Sequence, residues 1–173
     1  MKRRFFLAFS FFLAVTMTAK ADEPALGTNI GNKAPELVGT SNTGKELKLS
    51  DTRGKVVLLD FWAAWCGPCR RENPTVVAAY QKYKEKKFTV GKGFTVFSVS
   101  LDRDQASWVN GILQDKLEWP YHISDLKWWN SKFAAVYGVR SIPANFLLNS
   151  EGVIIARDLR GPALEAELVK LLK

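Results

Sequence analysis

Apolar positions along this chain gather in two long runs, and polar residues set off shorter ones at intervals that suit strands and helices. Lys55 to Trp62 reads Lys-Val-Val-Leu-Leu-Asp-Phe-Trp, and its near-unbroken hydrophobicity predicts a central strand buried on both faces. Phe94 to Leu101 predicts a second core strand. Glu36 to Thr40 and Glu46 to Leu49 read as two short strands around an Asn42-Thr43-Gly44 turn. Ala144 to Leu148 and Val153 to Arg157 read as a hairpin about Asn149-Ser150-Glu151-Gly152. Helices are expected from Gly67 to Lys86, from Asp104 to Asp115 with Asp102 near the cap, and from Asn130 to Tyr137. Glu165 to Leu172 closes the chain as an amphipathic helix. This alternation predicts an α/β layer fold. A polar, Gly-containing stretch over 22–33 reads as a flexible leader to a single domain over 34–173, with no internal repeat.

The first residues read as an export signal. Lys2-Arg3-Arg4 is a basic n-region, Phe5 to Met17 is an apolar stretch broken only by Ser10 and Thr16, and Ala19-Lys20-Ala21 supplies a cleavage site. The 13 apolar-stretch residues would rise only about 20 Å as a helix, short of the ~30 Å hydrocarbon core. A signal peptide over 1–21, cleaved after Ala21, is therefore expected, with a periplasmic or cell-envelope product. The alternative is an uncleaved N-terminus anchored in the inner membrane. Cleavage also changes the charge. The whole chain carries 25 basic and 17 acidic residues, or +8; without Lys2, Arg3, Arg4 and Lys20 it carries 21 against 17, or +4. The remaining excess gathers at Lys82, Lys84, Lys86, Lys87 and Lys92, which reads as a solvated helix end, not a nucleic-acid surface.

The chemistry centres on Trp65-Cys66-Gly67-Pro68-Cys69, which holds both cysteines of the chain. A purely structural disulfide across so small a loop would remove little entropy from the unfolded state. A zinc site needs about four ligands, and beyond the two cysteines there is a single histidine, His122. No metal and no cofactor are expected. A strand that ends in Cys-x-x-Cys and opens into a helix puts the first thiol over free N–H groups at the positive end of the helix dipole. That favours thiolate, the species that attacks disulfides. The pattern is a redox signal.

The segment Asp60-Phe61-Trp62-Ala63-Ala64-Trp65-Cys66-Gly67-Pro68-Cys69 resembles the active site of the thioredoxin superfamily. Pro74 matches that family's helix-kinking proline, and Ser141-Ile142-Pro143 before Ala144 to Leu148 resembles its cis-proline loop. The resemblance runs from about Asn32 to the C-terminus. It implies a thioredoxin-like fold, a central mixed sheet flanked by helices. An N-terminal strand pair and the 74 residues from Cys69 to Pro143, room for a helix-and-strand insert, are similar to the exported TlpA-like (TlpA/ResA-type) branch. So are Asp125-Leu126-Lys127-Trp128-Trp129-Asn130 and Tyr137-Gly138-Val139. The resemblance implies a protein that reduces disulfide-containing proteins of the envelope, apocytochrome c among them, and takes electrons from a membrane thiol reductase; a monomer is expected.

On that footing Cys66 is the expected attacking thiol, and Cys69, one turn into the helix, resolves the mixed disulfide. Asp60 matches the buried carboxylate of thioredoxins, which takes a proton from the resolving thiol and has its pKa raised by desolvation. Its other reading is a strand-end residue facing solvent. The lysine partner that thioredoxins give this acid has no match here. Pro143 is expected to carry a cis bond facing the cysteines and to leave the Ile142 backbone free to pair with an extended substrate. Trp65 reads either as an apolar contact for substrate or as simple packing. Gly67 and Pro68 tune the couple and resemble the reducing members. Trp108, Trp119, Trp128 and Trp129 read as core or insert packing, His122 as structural, and Arg70, Arg71 and Glu72 as surface charge.

Two other enzymatic readings compete. A disulfide oxidant would have a potential above about −150 mV. A peroxiredoxin-like thiol peroxidase needs a hydroxyl where Ala63 stands and a proline where Leu59 stands. A binding module without redox turnover is opposed by the presence of both cysteines.

Overall fold

The computed structural model describes residues 23–173; the expected signal peptide lies outside them. In chain order come β1 (Val38–Thr40), β2 (Glu46–Lys48), β3 (Val56–Trp62), α1 (Gly67–Tyr83), β4 (Lys87–Phe88) and β5 (Gly91–Lys92). They are followed by β6 (Phe94–Ser100), α2 (Gln105–Gln114), β7 (Tyr121–Ser124), α3 (Lys132–Val136), β8 (Ala144–Leu148), β9 (Ile154–Arg157) and α4 (Pro162–Lys170). Five strands form one mixed sheet in the order β7-β6-β3-β8-β9. β3 lies at its centre, parallel to β6 and antiparallel to β8. β1 and β2 form a separate antiparallel ribbon.

Every residue of β3 is buried, because α1, α2 and α4 cover one face of the sheet, and the N-terminal segments together with α3 cover the other. Strand alternation sorts its side chains. Val56, Leu58 and Trp62 pack with Val76 and Tyr83 of α1, Trp108 of α2 and Leu168 of α4. Val57, Leu59 and Phe61 pack with Leu37, Leu49, Phe133 and Phe146. Asp60 therefore projects on the Leu58 and Trp62 side, the side that α1 covers. A carboxylate in that position is enclosed between β3 and the helices and does not face solvent.

Most expected elements are present, with local differences, among them an α1 that ends at Tyr83, short of Lys86. The segment expected as a loose leader is fastened: Gly31 N–H donates to the Ile154 carbonyl (2.8 Å), and Ile154 N–H to that of Asn32 (2.9 Å). Asp104, not Asp102, caps α2 by accepting from Ser107 N–H at 2.8 Å. The small hairpin β4–β5 was not anticipated; its strands have two residues each, too short for a periodic signal. α4 starts earlier than Glu165, at Pro162, whose fixed φ and missing N–H suit a first turn. The insert holds α2 and β7, and β7 extends the sheet beside β6.

Candidate active site

β3 delivers the chain to the start of α1, where Cys66 takes an extended conformation and caps the helix. Its sulfur accepts the Cys69 N–H at 3.2 Å. The two sulfurs are joined in a disulfide. Both cysteines are buried, with whole-residue exposures of 4 % for Cys66 and 1 % for Cys69. In the reduced state the same N–H and the helix dipole would stabilise a thiolate at Cys66. Gly67 and Pro68 lie exposed between the cysteines, and Trp65 is 49 % exposed beside them. The Ile142–Pro143 peptide is cis, and the Ile142 carbonyl oxygen lies 3.7 Å from the Cys66 sulfur. The proline loop thus flanks the first cysteine, both of its residues half-buried.

The turn that carries the cysteines is anchored to the end of β6. Ala64 N–H donates to both carboxylate oxygens of buried Asp102 (3.2 and 3.1 Å), which also accepts from the Ser100 hydroxyl at 2.7 Å. Burial raises the Asp102 pKa, and the bonds from Ser100 and Ala64 oppose that rise. Trp65 Nε1 donates to the Leu101 carbonyl (3.2 Å). Arg70, expected as plain surface charge, instead donates to the Ala64 carbonyl (3.2 Å) and pairs with Asp115, which also accepts from Asn73 Nδ2 at 2.6 Å.

Asp60 is 5 % exposed, and its pKa is pushed up to about 7, first by desolvation. The Arg160 guanidinium opposes this rise and the Glu72 carboxylate adds to it. Arg160 donates to the carbonyls of Leu159 (2.7 Å) and Pro143, and Glu72 accepts the Gly161 N–H at 2.8 Å. Two charges of opposite sign, Glu72 on α1 and Arg160 in the loop before α4, thus set the electrostatic surroundings of the acid. Glu72 was legible in principle: it sits three residues after Cys69, on the same side of the helix. Arg160 has no local signal.

The four tryptophans read as core or insert packing divide between those two places. Trp108 and Trp119 are buried, at 1 % and 3 % exposure. Trp128 and Trp129 are not core residues: they stand edge-on to Trp65, with ring centroids 6.3 and 6.2 Å away. The insert brings them to the rim of the site. His122 is buried, stacks on Trp119 and bonds the Leu117 carbonyl at 3.1 Å, so its role is structural. Burial pushes its pKa down to about 4.

The model of the Redoxin family matches residues 29–172. The chain belongs to the Redoxin family. Among curated relatives, thiol-disulfide oxidoreductase ResA of Bacillus thuringiensis subsp. konkukian (strain 97-27) is 33 % identical over 144 residues, covering 83 % of this chain and 77 % of the relative. The thioredoxin domain of a Bacteroides vulgatus thiol-disulfide oxidoreductase superposes with a TM-score of 0.74 at 33 % identity, over 84 % of this chain and 99 % of the domain. A Bacteroides fragilis thiol-disulfide oxidoreductase gives 0.72 at 32 % identity, over 82 % and 100 %. This redoxin is a ResA-like member of the thioredoxin superfamily and a thiol-disulfide oxidoreductase. Among the described residues no helix is long and apolar enough to cross a membrane.

Proposed function

We propose that this redoxin is exported and reduces disulfides of proteins in the cell envelope, apocytochrome c being the substrate class that the TlpA-like resemblance favours. The observation that carries this reading is the Cys66–Cys69 pair at the start of α1, with its first sulfur beside the Ile142–Pro143 edge. The basic and apolar N-terminal segment ending in Ala19-Lys20-Ala21 supports export.

The reaction begins from the dithiol. The Cys66 thiolate attacks one sulfur of the substrate disulfide, the S–S bond breaks, and the other substrate sulfur leaves as a thiolate that takes up a proton. Asp60, ionised in part at neutral pH, accepts the Cys69 proton. The Cys69 thiolate then attacks Cys66, displaces the second substrate thiolate and closes the Cys66–Cys69 bond. Two electrons and two protons pass to the substrate, and a membrane thiol reductase restores the dithiol. Pro143 and the Ile142 backbone hold the substrate strand, and Trp65 contacts it.

Insulin reduction, run beside peroxide consumption and a redox titration, tests this reading. Turnover of insulin without peroxide consumption is expected. A potential above about −150 mV would instead make the protein an oxidant. In cells, Cys69→Ala should accumulate mixed disulfides on a non-reducing gel and Cys66→Ala should not. The reverse pattern would exchange the two roles.

A further inference from the structure

Beside Trp65, on the side toward α2, opens a cleft of about 660 Å³. Trp65, Trp128 and Arg103 line it together with Ser107, Asn110 and Gly111 of α2, and the charged groups of Arg70, Asp102 and Asp104 also border it. The Arg103 guanidinium lies 3.9 Å from the centre of the Trp128 ring, and among the described residues it forms no ion pair with a carboxylate. Trp129 completes a three-ring cluster and is 37 % exposed, so an apolar surface is left open to solvent next to the reactive sulfur. The Trp128 backbone holds a positive φ of 54°, which bulky residues seldom adopt, and this conformation presents the ring. Apart from Trp65, none of these groups has a part in the exchange described above.

We propose that this cleft is a specificity subsite for the substrate polypeptide, and that it takes an aromatic side chain flanking the cysteine that Cys66 attacks. The proposal rests on the reading of this chain as a disulfide reductase. Continuity argues for that occupant: Trp65 is at once the residue before Cys66 and a wall of the cleft, so a strand engaged at the sulfur runs into it. Chemistry argues the same way. Aromatic rings prefer edge-to-face and offset contacts such as those within the cluster, and an arginine plane over a ring offers a further stacking surface. Ser107 and Asn110, exposed on α2, supply polar groups for the substrate backbone.

The test uses two short disulfide peptides that differ only in having Phe or Ala next to the attacked cysteine, with hydroxyethyl disulfide as a control substrate. The wild type should favour the Phe peptide about tenfold in kcat/KM. In Trp128→Ala that ratio should fall toward one, whatever happens to the absolute rate. Arg103→Ala, which leaves the three rings in place, should lower it part-way. A wild-type ratio near one, or a ratio preserved in Trp128→Ala, would overturn the proposal. Failure of the wild type to reduce even hydroxyethyl disulfide would sink the reductase reading itself, and the subsite with it.

Discussion

Asp60→Asn should stabilise the oxidised protein in a way that grows with pH. In the folded state the carboxyl has a pKa of about 7, against 3.8 for the free group, and desolvation is the main cause. An acid raised in this way binds its proton more tightly folded than unfolded. Its contribution to stability is therefore complete below about pH 4 and is lost as pH rises through 7. At 1.36 kcal/mol per pH unit, the interval corresponds to about 4 kcal/mol, an upper value for what the buried charge costs above neutrality. His122 acts in the opposite direction. Its pKa falls from 6.5 to about 4, so the folded state resists protonation and loses stability as pH drops through that range. In the wild type the two slopes oppose each other and much of the trend is hidden. Subtracting the wild-type free energy from that of Asp60→Asn removes the His122 contribution. Urea unfolding of the disulfide form at closely spaced pH values from 4 to 8 is the assay. The variant should match the wild type near pH 4 and exceed it by up to about 4 kcal/mol at pH 8, or roughly 8–16 °C in Tm for a domain of this size. A difference that stays constant with pH would refute the reasoning, because an uncharged or solvated Asp60 would leave nothing to titrate.

Three further outcomes follow from the same site. Arg160→Met removes the positive charge that opposes the Asp60 rise, so the onset of Cys69 resolution, followed by decay of the mixed disulfide against pH, should move upward; an unmoved profile would count against the electrostatic pairing. Arg70→Ala takes away a partner of the half-buried Asp115 and the bond to the Ala64 carbonyl, and should lower stability by about 1–3 kcal/mol in chemical denaturation, far more than an exposed ion pair such as Lys82–Glu165. Leu58→Ala in the covered face of β3 should cost about 2–5 kcal/mol, read as a lower urea midpoint with an unchanged slope.

The parts of this protein that its sequence determined are those whose cause is local. A strand buried on both faces shows itself as an apolar run, so β3 and β6 were legible, and so was Asp60 as the one acid within the first of them. Cys66 at the start of the helix and Cys69 one turn on follow from neighbours along the chain, whereas Ile142-Pro143 before β8 was marked by the family resemblance. Asp102 shows where that reach ends. By sequence it reads as a cap for the helix that follows it, and only the parallel pairing of β6 with β3 brings it beside Ala64, 38 residues away, where its burial makes that N–H the better partner. Arg70 and Asp115 are 45 residues apart, and Glu72 and Gly161 are 89 apart; such pairs are chosen by which helix ends the sheet order brings together. For Trp128 and Trp129 composition left core and insert packing open, since an aromatic ring carries no mark of which side of a loop it will face. The tertiary structure decided that by setting β7 at the sheet edge beside β6, so that the segment after it crosses the mouth of the site and turns its rings toward Trp65.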